Sequence, residues 1–136
     1  MKSAARKGVP LSERQAIQWW VADAATKIHA ARLMTYEAAA RIDRGEEART
    51  QVSMIKVFAT EMAWEIIDHA MQTFGAMGIS PDTPLADHWT WGRALRFVDG
   101  PDEVHLQAIA RIEVGLSQAN LGASAAYLLP PTPDQV

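Results

Sequence analysis

The sequence has 136 residues, 49% hydrophobic and 21% charged, with a formal net charge of −3, which suits one globular domain with a single core. The absence of Cys excludes disulfides, thiolate zinc sites and a cysteine nucleophile and fits a reducing compartment. The acidic balance gives no reason to bind nucleic acid, and no apolar run approaches membrane-spanning length, so the expectation is a soluble, cytoplasmic chain.

Residues 1–11 read as an N-terminal arm, because "MKSAARKGVPL" is basic and lacks the apolar stretch of a secretion signal. Ser12 and Gln15 stand at capping-box spacing and Leu11 can staple onto Ala16, so a helix is predicted to begin here. Ile17, Val21, Ala24, Ile28, Ala31, Thr35, Ala38 and Ile42 recur every three or four residues, a single seam along about eight turns. Gly45 in "DRGEE" ends it, and Glu46 and Glu47 suit the first turn of the next helix. That second long helix carries Ile55, Phe58, Met62, Ile66 and Ala70 as its buried stripe and breaks at "FGAMGISPDTP". Thr83 is the expected cap of a shorter helix, "LADHWTWGRALRFV", with Pro84 at its first position. Pro101, Asp102 and Glu103 open a fourth helix through "EVHLQAIARIEVGLSQA", and the tail "YLLPPTPDQV" reads as an extended arm that Pro130 keeps from continuing the helix.

The predicted architecture is therefore all-α, an antiparallel four-helix bundle with two long helices and two shorter ones: arm 1–11, bundle 12–122, tail 123–136. Trp19 and Trp20 are adjacent and point about 100° apart on a helix. Trp89 and Trp91 diverge further, so the five Trp residues cover more than one surface, which predicts an oligomer.

Few residues carry chemistry by spacing alone. His29, His69, His88 and His105 lack metal-ligand partners in sequence and read as surface or interface imidazoles, so no metal site is predicted. There is no P-loop, nucleophile elbow or dinucleotide fingerprint, and "GAMG" follows a helix rather than a strand, so spacing alone makes it a turn. The remaining candidate is Asp99 in "RFVDGPDEVH". Asp-Gly-Pro is ordinary punctuation between helices, yet this carboxylate follows Phe97 and Val98 at a tight corner. To take a proton from carbon it needs a dry setting that raises its pKa from about 3.9. The residues themselves permit either a turn former or a base.

Three ordered blocks carry a resemblance: "PLSERQAIQWWVADAATKIHAARLMTYEAA", "IKVFATEMAWEIIDHAMQTFGAMGIS" and "PLADHWTWGRALRFVDGPDEVHLQAIARIE". Together they resemble the C-terminal helical domain of acyl-CoA dehydrogenases over nearly all of residues 8–115. The nearest likeness is to a subgroup with "DGPDEVH" at the catalytic corner, where most members carry Glu-Gly-Thr. The resemblance implies an FAD enzyme that oxidises an acyl-CoA to the trans-2-enoyl-CoA. A carboxylate removes the α-proton while the β-hydrogen leaves as hydride to the flavin. Asp99 matches the base. Arg111, in "AIAR", matches an arginine near the active site that helps set the base-bearing corner. Gln15 matches a contact to the flavin of a neighbouring subunit. Gln72, Gly75 and Gly78 match the loop against the cofactor's diphosphate and adenosine side, where small residues let backbone N–H groups approach phosphate oxygens.

This chain departs from the family pattern at Ala76, where a second Gly is common, and at Pro101 and Glu103, where the Glu-Gly-Thr enzymes place flavin-contacting Thr and Gln. The family's N-terminal helical domain and middle β-domain, which hold the flavin ring and most of the acyl pocket, have no counterpart in the sequence. The resemblance thus implies a chain that works with further domains or a partner chain and does not turn over alone. Its implied partners are an acyl-CoA substrate and other subunits in a homo- or hetero-oligomer, with no nucleic acid and no membrane. The alternative, motivated by the spare Trp residues and the missing domains, is a non-catalytic helix-bundle module for oligomerisation or assembly.

Overall fold

Alanine and unbranched side chains favour helix at little entropic cost, and helices account for nearly all the regular structure. The computed structural model describes residues 8–128, with side chains through residue 119. Four α-helices follow in order: α1 Gln15–Asp43, α2 Arg49–Phe74, α3 Leu85–Ala94 and α4 Asp102–Leu128. Two 3-10 turns, Leu11–Glu13 and Gly75–Ile79, precede α1 and follow α2. The all-helical class holds, and α4 is longer than predicted. At 27 residues it matches α1 and α2 and carries helix into residues expected to belong to the tail. Residues 1–7 of the arm and 129–136 of the tail lie outside the described residues.

The helix ends correct several local expectations. No capping box forms at Ser12 and Gln15: Arg14 is the N-cap of α1, without a side-chain cap. The 3-10 turn consumes residues 11–13, so Ser12 precedes the cap and stands too early to reach the first free N–H groups. The C-terminus behaves as predicted. Gly45 takes φ +73, its N–H donates to the Ile42 carbonyl and that of Glu46 to Arg41, both at 2.9 Å, the paired bonds of a Schellman close. Glu46 and Glu47 fall ahead of α2, whose first turn has no acidic residue. Glu46 instead grips the Arg44 guanidinium at 2.6 and 2.9 Å. Thr83 is likewise not the cap of α3. Pro84 holds that place, and the Thr83 hydroxyl donates to the Met77 carbonyl at 3.0 Å, tying α3's start to the second 3-10 turn.

Packing is organised around α2, which lies against α1, α3, α4 and the second 3-10 turn. The α1 pairing is antiparallel: Trp20 stacks on His69 with ring centroids 4.5 Å apart, and one helical stretch further along Lys27 reaches Glu65 at 2.6 Å. Trp64 and Gly92 of α3 meet where Trp89 bonds Asp68, and Lys56 and Ser53 meet Asp102 and His105 of α4, so α3 and α4 also run against α2. The strip of α1 that faces α2 keeps Ile17, Ala24, Ile28, Ala31 and Ala38 of the predicted seam but departs from it elsewhere. Val21 and Ile42 are exposed, and Trp20 and Met34 are turned inward instead. Because α1 packs on a single helix, its buried strip is narrow.

The core is thin. The buried hydrophobic residues among those described are all alanines, Ala31, Ala38 and Ala48, and larger apolar side chains each keep some exposed surface. Two buried glycines sit at close approaches with opposite consequences. A Cβ on Gly78 would come within 2.5 Å of the Met71 carbonyl oxygen, which is backbone and cannot yield, whereas one on Gly92 would meet Ile67 and Trp64 at an ordinary 3.5 Å. In urea unfolding, Gly78→Ala is expected to lower stability by about 1–3 kcal/mol, while Gly92→Ala, inside a helix, raises it by up to about 1 kcal/mol.

Candidate active site

The α3–α4 connection is a loop closed at its neck. Arg96 and Asp102 meet twice: the Asp102 N–H donates to the Arg96 carbonyl at 3.2 Å, and the Arg96 Nε donates to Asp102 Oδ2 at 2.5 Å. Lys56 of α2 reaches both, donating to the Arg96 carbonyl at 3.1 Å and to Asp102 Oδ1 at 2.7 Å. Asp102 is only 4% exposed. Burial alone pushes its carboxyl up, but the hydrogen bonds and charges of Lys56 and Arg96 outweigh that and hold it below the usual carboxylate range.

Asp99 stands at the apex of this loop, three residues from either side of the neck. Its backbone is left-handed at φ +55, followed by Gly100 at φ +100, a conformation Asp tolerates better than most residues. The ring of His105 fixes the peptide: Nε2 donates to the Asp99 carbonyl at 3.1 Å, which leaves Nδ1 of a neutral ring to accept from the Ser53 hydroxyl at 3.3 Å. The Asp99 side chain is exposed and makes no hydrogen bond among the described residues. Phe97 and Val98 do not enclose it. They are 56% and 49% exposed, and Phe97 lies under the Arg93 guanidinium at 4.3 Å.

Arg111 is exposed and makes no ion pair among the described residues. It follows Asp102 by nine residues, about 14 Å along α4. The corner is held by Lys56, Arg96, Asp102 and His105, which sequence reasoning missed, His105 having been read as a surface or interface imidazole. The signals were faint: a lysine beside Ile55 and Phe58 on an otherwise apolar stretch, and an aspartate in the first turn of a helix.

The other sequence-derived residues gather at the opposite end of α2. Gln15 begins α1, and the first turns of α1 share a groove with the last turns of α2, lined by Ile17, Trp20, His69, Thr73 and Phe74. Gln72 and Gly75 are exposed there; Gly75 has φ +62 with open space where a Cβ would stand, while Gly78 is buried against Met71. Residues some sixty positions apart, Gln15 and Gln72–Gly75, thus lie at one end of an antiparallel pair. From Lys56 to Gln72 the axis of α2 covers about 24 Å, so the Asp99 corner and this second cluster are separate places on the chain. Among the described residues no group of three His, Asp or Glu side chains is arranged to hold a metal ion.

The Asp102 cluster has a defined acid response. A carboxyl whose folded pKa is depressed stabilises the fold above its unfolded value, ordinarily 3.8, and loses that contribution as pH falls through the lower folded value. Asp102→Asn leaves Lys56 and Arg96 without their counter-charge and is expected to destabilise by about 3–5 kcal/mol near neutrality. The gap to the parent chain should close progressively below pH 3.8 in urea unfolding across a pH series.

Residues 1–113 match the family model for the acyl-CoA dehydrogenase C-terminal domain. The probable acyl-CoA dehydrogenase FadE2 of Mycobacterium tuberculosis is 44% identical over 119 residues, covering 86% of this chain and 29% of its own length. The structure of butyryl-CoA dehydrogenase from Megasphaera elsdenii superposes with a TM-score of 0.79 at 28% identity, over 83% of this chain and 30% of that one. An FAD complex of PigA does so at 0.78 and 26% identity, over 85% of this chain and 30% of that one. The chain therefore spans less than a third of each of these relatives. By sequence and by fold it belongs to the acyl-CoA dehydrogenase family, as that family's C-terminal helical domain.

Proposed function

We propose that this chain supplies the catalytic carboxylate of a cytoplasmic, FAD-dependent acyl-CoA dehydrogenase and part of the FAD site of a neighbouring subunit. The observation that carries the first role is Asp99: an unpaired carboxylate presented at the apex of a loop whose neck and whose own carbonyl are both tied down. The α-proton chemistry is what the family resemblance implies for that carboxylate. One Asp99 oxygen accepts the proton α to the thioester carbonyl, and the held backbone keeps the acceptor from drifting as the bond breaks. Phe97 and Val98, exposed immediately before it in the chain, are apolar surface that a covering domain would complete to exclude water from the carboxylate. Arg111 is assigned, on the resemblance alone, to the neighbourhood of the active site, where it would help set the base-bearing corner.

The second cluster fits FAD. Gln72 and Gly75 are exposed, and space is open above the Gly75 backbone. The start of α1 carries Gln15 with no side-chain cap and no acidic residue in its first turn, a favourable end for an anion. Gln15, Gln72 and the Gly75 backbone would hold the diphosphate side, with Gly78 letting that turn lie close on α2. When bound, FAD supplies the acceptor for the hydride that leaves the β-carbon. The span of about 24 Å along α2 favours one chain serving two sites, its own base and a neighbour's cofactor.

Assembly is supported by an unpartnered strip on α1. Trp19, Ala22, His29, Leu33, Tyr36 and Ala40 are all exposed at spacings of three, four and seven, with Trp19 and Tyr36 at 64% and 68%. That pattern suits a facing helix, and it favours the second reading, a non-catalytic assembly module, should catalysis fail. In the assembled flavoenzyme, Asp99→Asn is expected to lower turnover by about 10²–10⁴-fold with the bound-flavin absorbance unchanged. Gln72→Ala should release flavin more readily on dilution. Full turnover in Asp99→Asn would remove Asp99 from the base role. A chain that sediments as an oligomer and never associates with flavin would establish the assembly reading instead.

A further inference from the structure

We infer that Lys56, Asp102 and Arg96 form a positioning clasp that sets where the Asp99 carboxylate stands; the inference rests on reading Asp99 as the base. Four hydrogen bonds cross or brace the neck of the loop. Arg96 and Asp102 bond through backbone and side chain at once, and Lys56 spans the Arg96 carbonyl and the Asp102 carboxylate. Three helical connections are thereby fixed to one another: the body of α2, the end of the α3 turn and the first residue of α4. The loop between them has Asp99 at its midpoint, and His105, one turn into the helix that Asp102 begins, holds the Asp99 carbonyl. A shift of Asp102 moves the neck and the His105 tether together.

Stability alone is a poor account of this arrangement. Burying a carboxylate between two cations loses much hydration, and an apolar cluster of the same shape commonly does as well or better. A charged clasp differs in being directional, fixing distance and angle between two backbone segments. Asp99 needs that. Its side chain has two torsions and sits on a left-handed backbone that only its surroundings maintain, so a displaced backbone carries the carboxylate with it almost undiminished. The clasp residues are positioning residues that act through Asp99.

The test uses the flavin-loaded enzyme that contains this chain. Arg96 is the safer first variant, because its side chain is 28% exposed and its loss leaves the Lys56–Asp102 pair intact. Arg96→Gln is expected to lower kcat per bound flavin about tenfold, and Asp102→Asn by up to about 10²-fold, the scale of a misplacement near 1 Å. KM should be little changed. The isotope effect with α-deuterated acyl-CoA should rise as proton removal becomes limiting, Arg96→Lys should recover part of the rate, and hydrogen exchange over residues 96–102 should quicken in Arg96→Gln. Quickened exchange with unchanged kcat per flavin and an unchanged isotope effect would overturn the positioning role, as would unchanged exchange and rate in both clasp variants. Asp99→Asn run in parallel separates the two ideas. If it abolishes turnover while the clasp variants do not slow it, only the clasp inference fails; if it leaves turnover intact, the base reading itself has failed.

Discussion

One buried carboxylate organises the chemically relevant end of this domain. Asp102 is the only charged side chain among the described residues to be buried, and it remains ionised because Lys56 and Arg96 replace the water it gives up. A carboxylate in the first turn of α4 also lies at the positive end of that helix. A single side chain thereby links a long-range contact, α2 to α4, with a local one, the neck of a seven-residue loop. The exposed Asp99 sits on a loop whose neck is tied, three residues away, through Asp102.

α2 gives the rest of the domain its layout. Each of the other helices lies against it, so its two ends become two distinct platforms: the Asp99 corner beside Ser53 and Lys56, and the Gln15–Gln72–Gly75 cluster beside Phe74. Between them the packing is close but shallow. Alanines at the α1 contact bring backbones together without burying much area, and the indole N–H of Trp64 is enclosed without an acceptor among the described residues. Apolar side chains such as Trp19, Tyr36, Trp91 and Phe97 stay more than half exposed. A domain built this way leaves much of its apolar surface uncovered and open to packing against other surfaces.

The polarity of the site follows from the same economy of burial. Phe97 and Val98 precede Asp99 without enclosing it, so the carboxylate is exposed in the chain itself. The backbone geometry at Asp99 is internal to this domain.

Much of the fold was legible because it rests on short-range rules. Helix periodicity located all four helices, and Gly45 ended α1 as its left-handed backbone requires. Three similar blocks of residues pointed to the family, and through it to Asp99, Gln15 and Gln72. Where one side chain competes with another for the same task, sequence failed: Ser12 and Thr83 looked like caps, but a 3-10 turn displaced the first and the Met77 carbonyl captured the second. The exact edge of the α1 seam, with Trp20 and Met34 inside and Val21 and Ile42 outside, was hidden because several of its faces are apolar and only contact with α2 selects one. The clasp was hidden for a similar reason. Lys56 and Asp102 are 46 positions apart, and nothing in the spacing of a lysine and an aspartate says that they are buried together. Sequence by itself determined the helices, the turn and the residue at its apex; tertiary structure decided which charges meet beneath that turn, because pairing across a core depends on how helices dock, and docking is a property of no single segment.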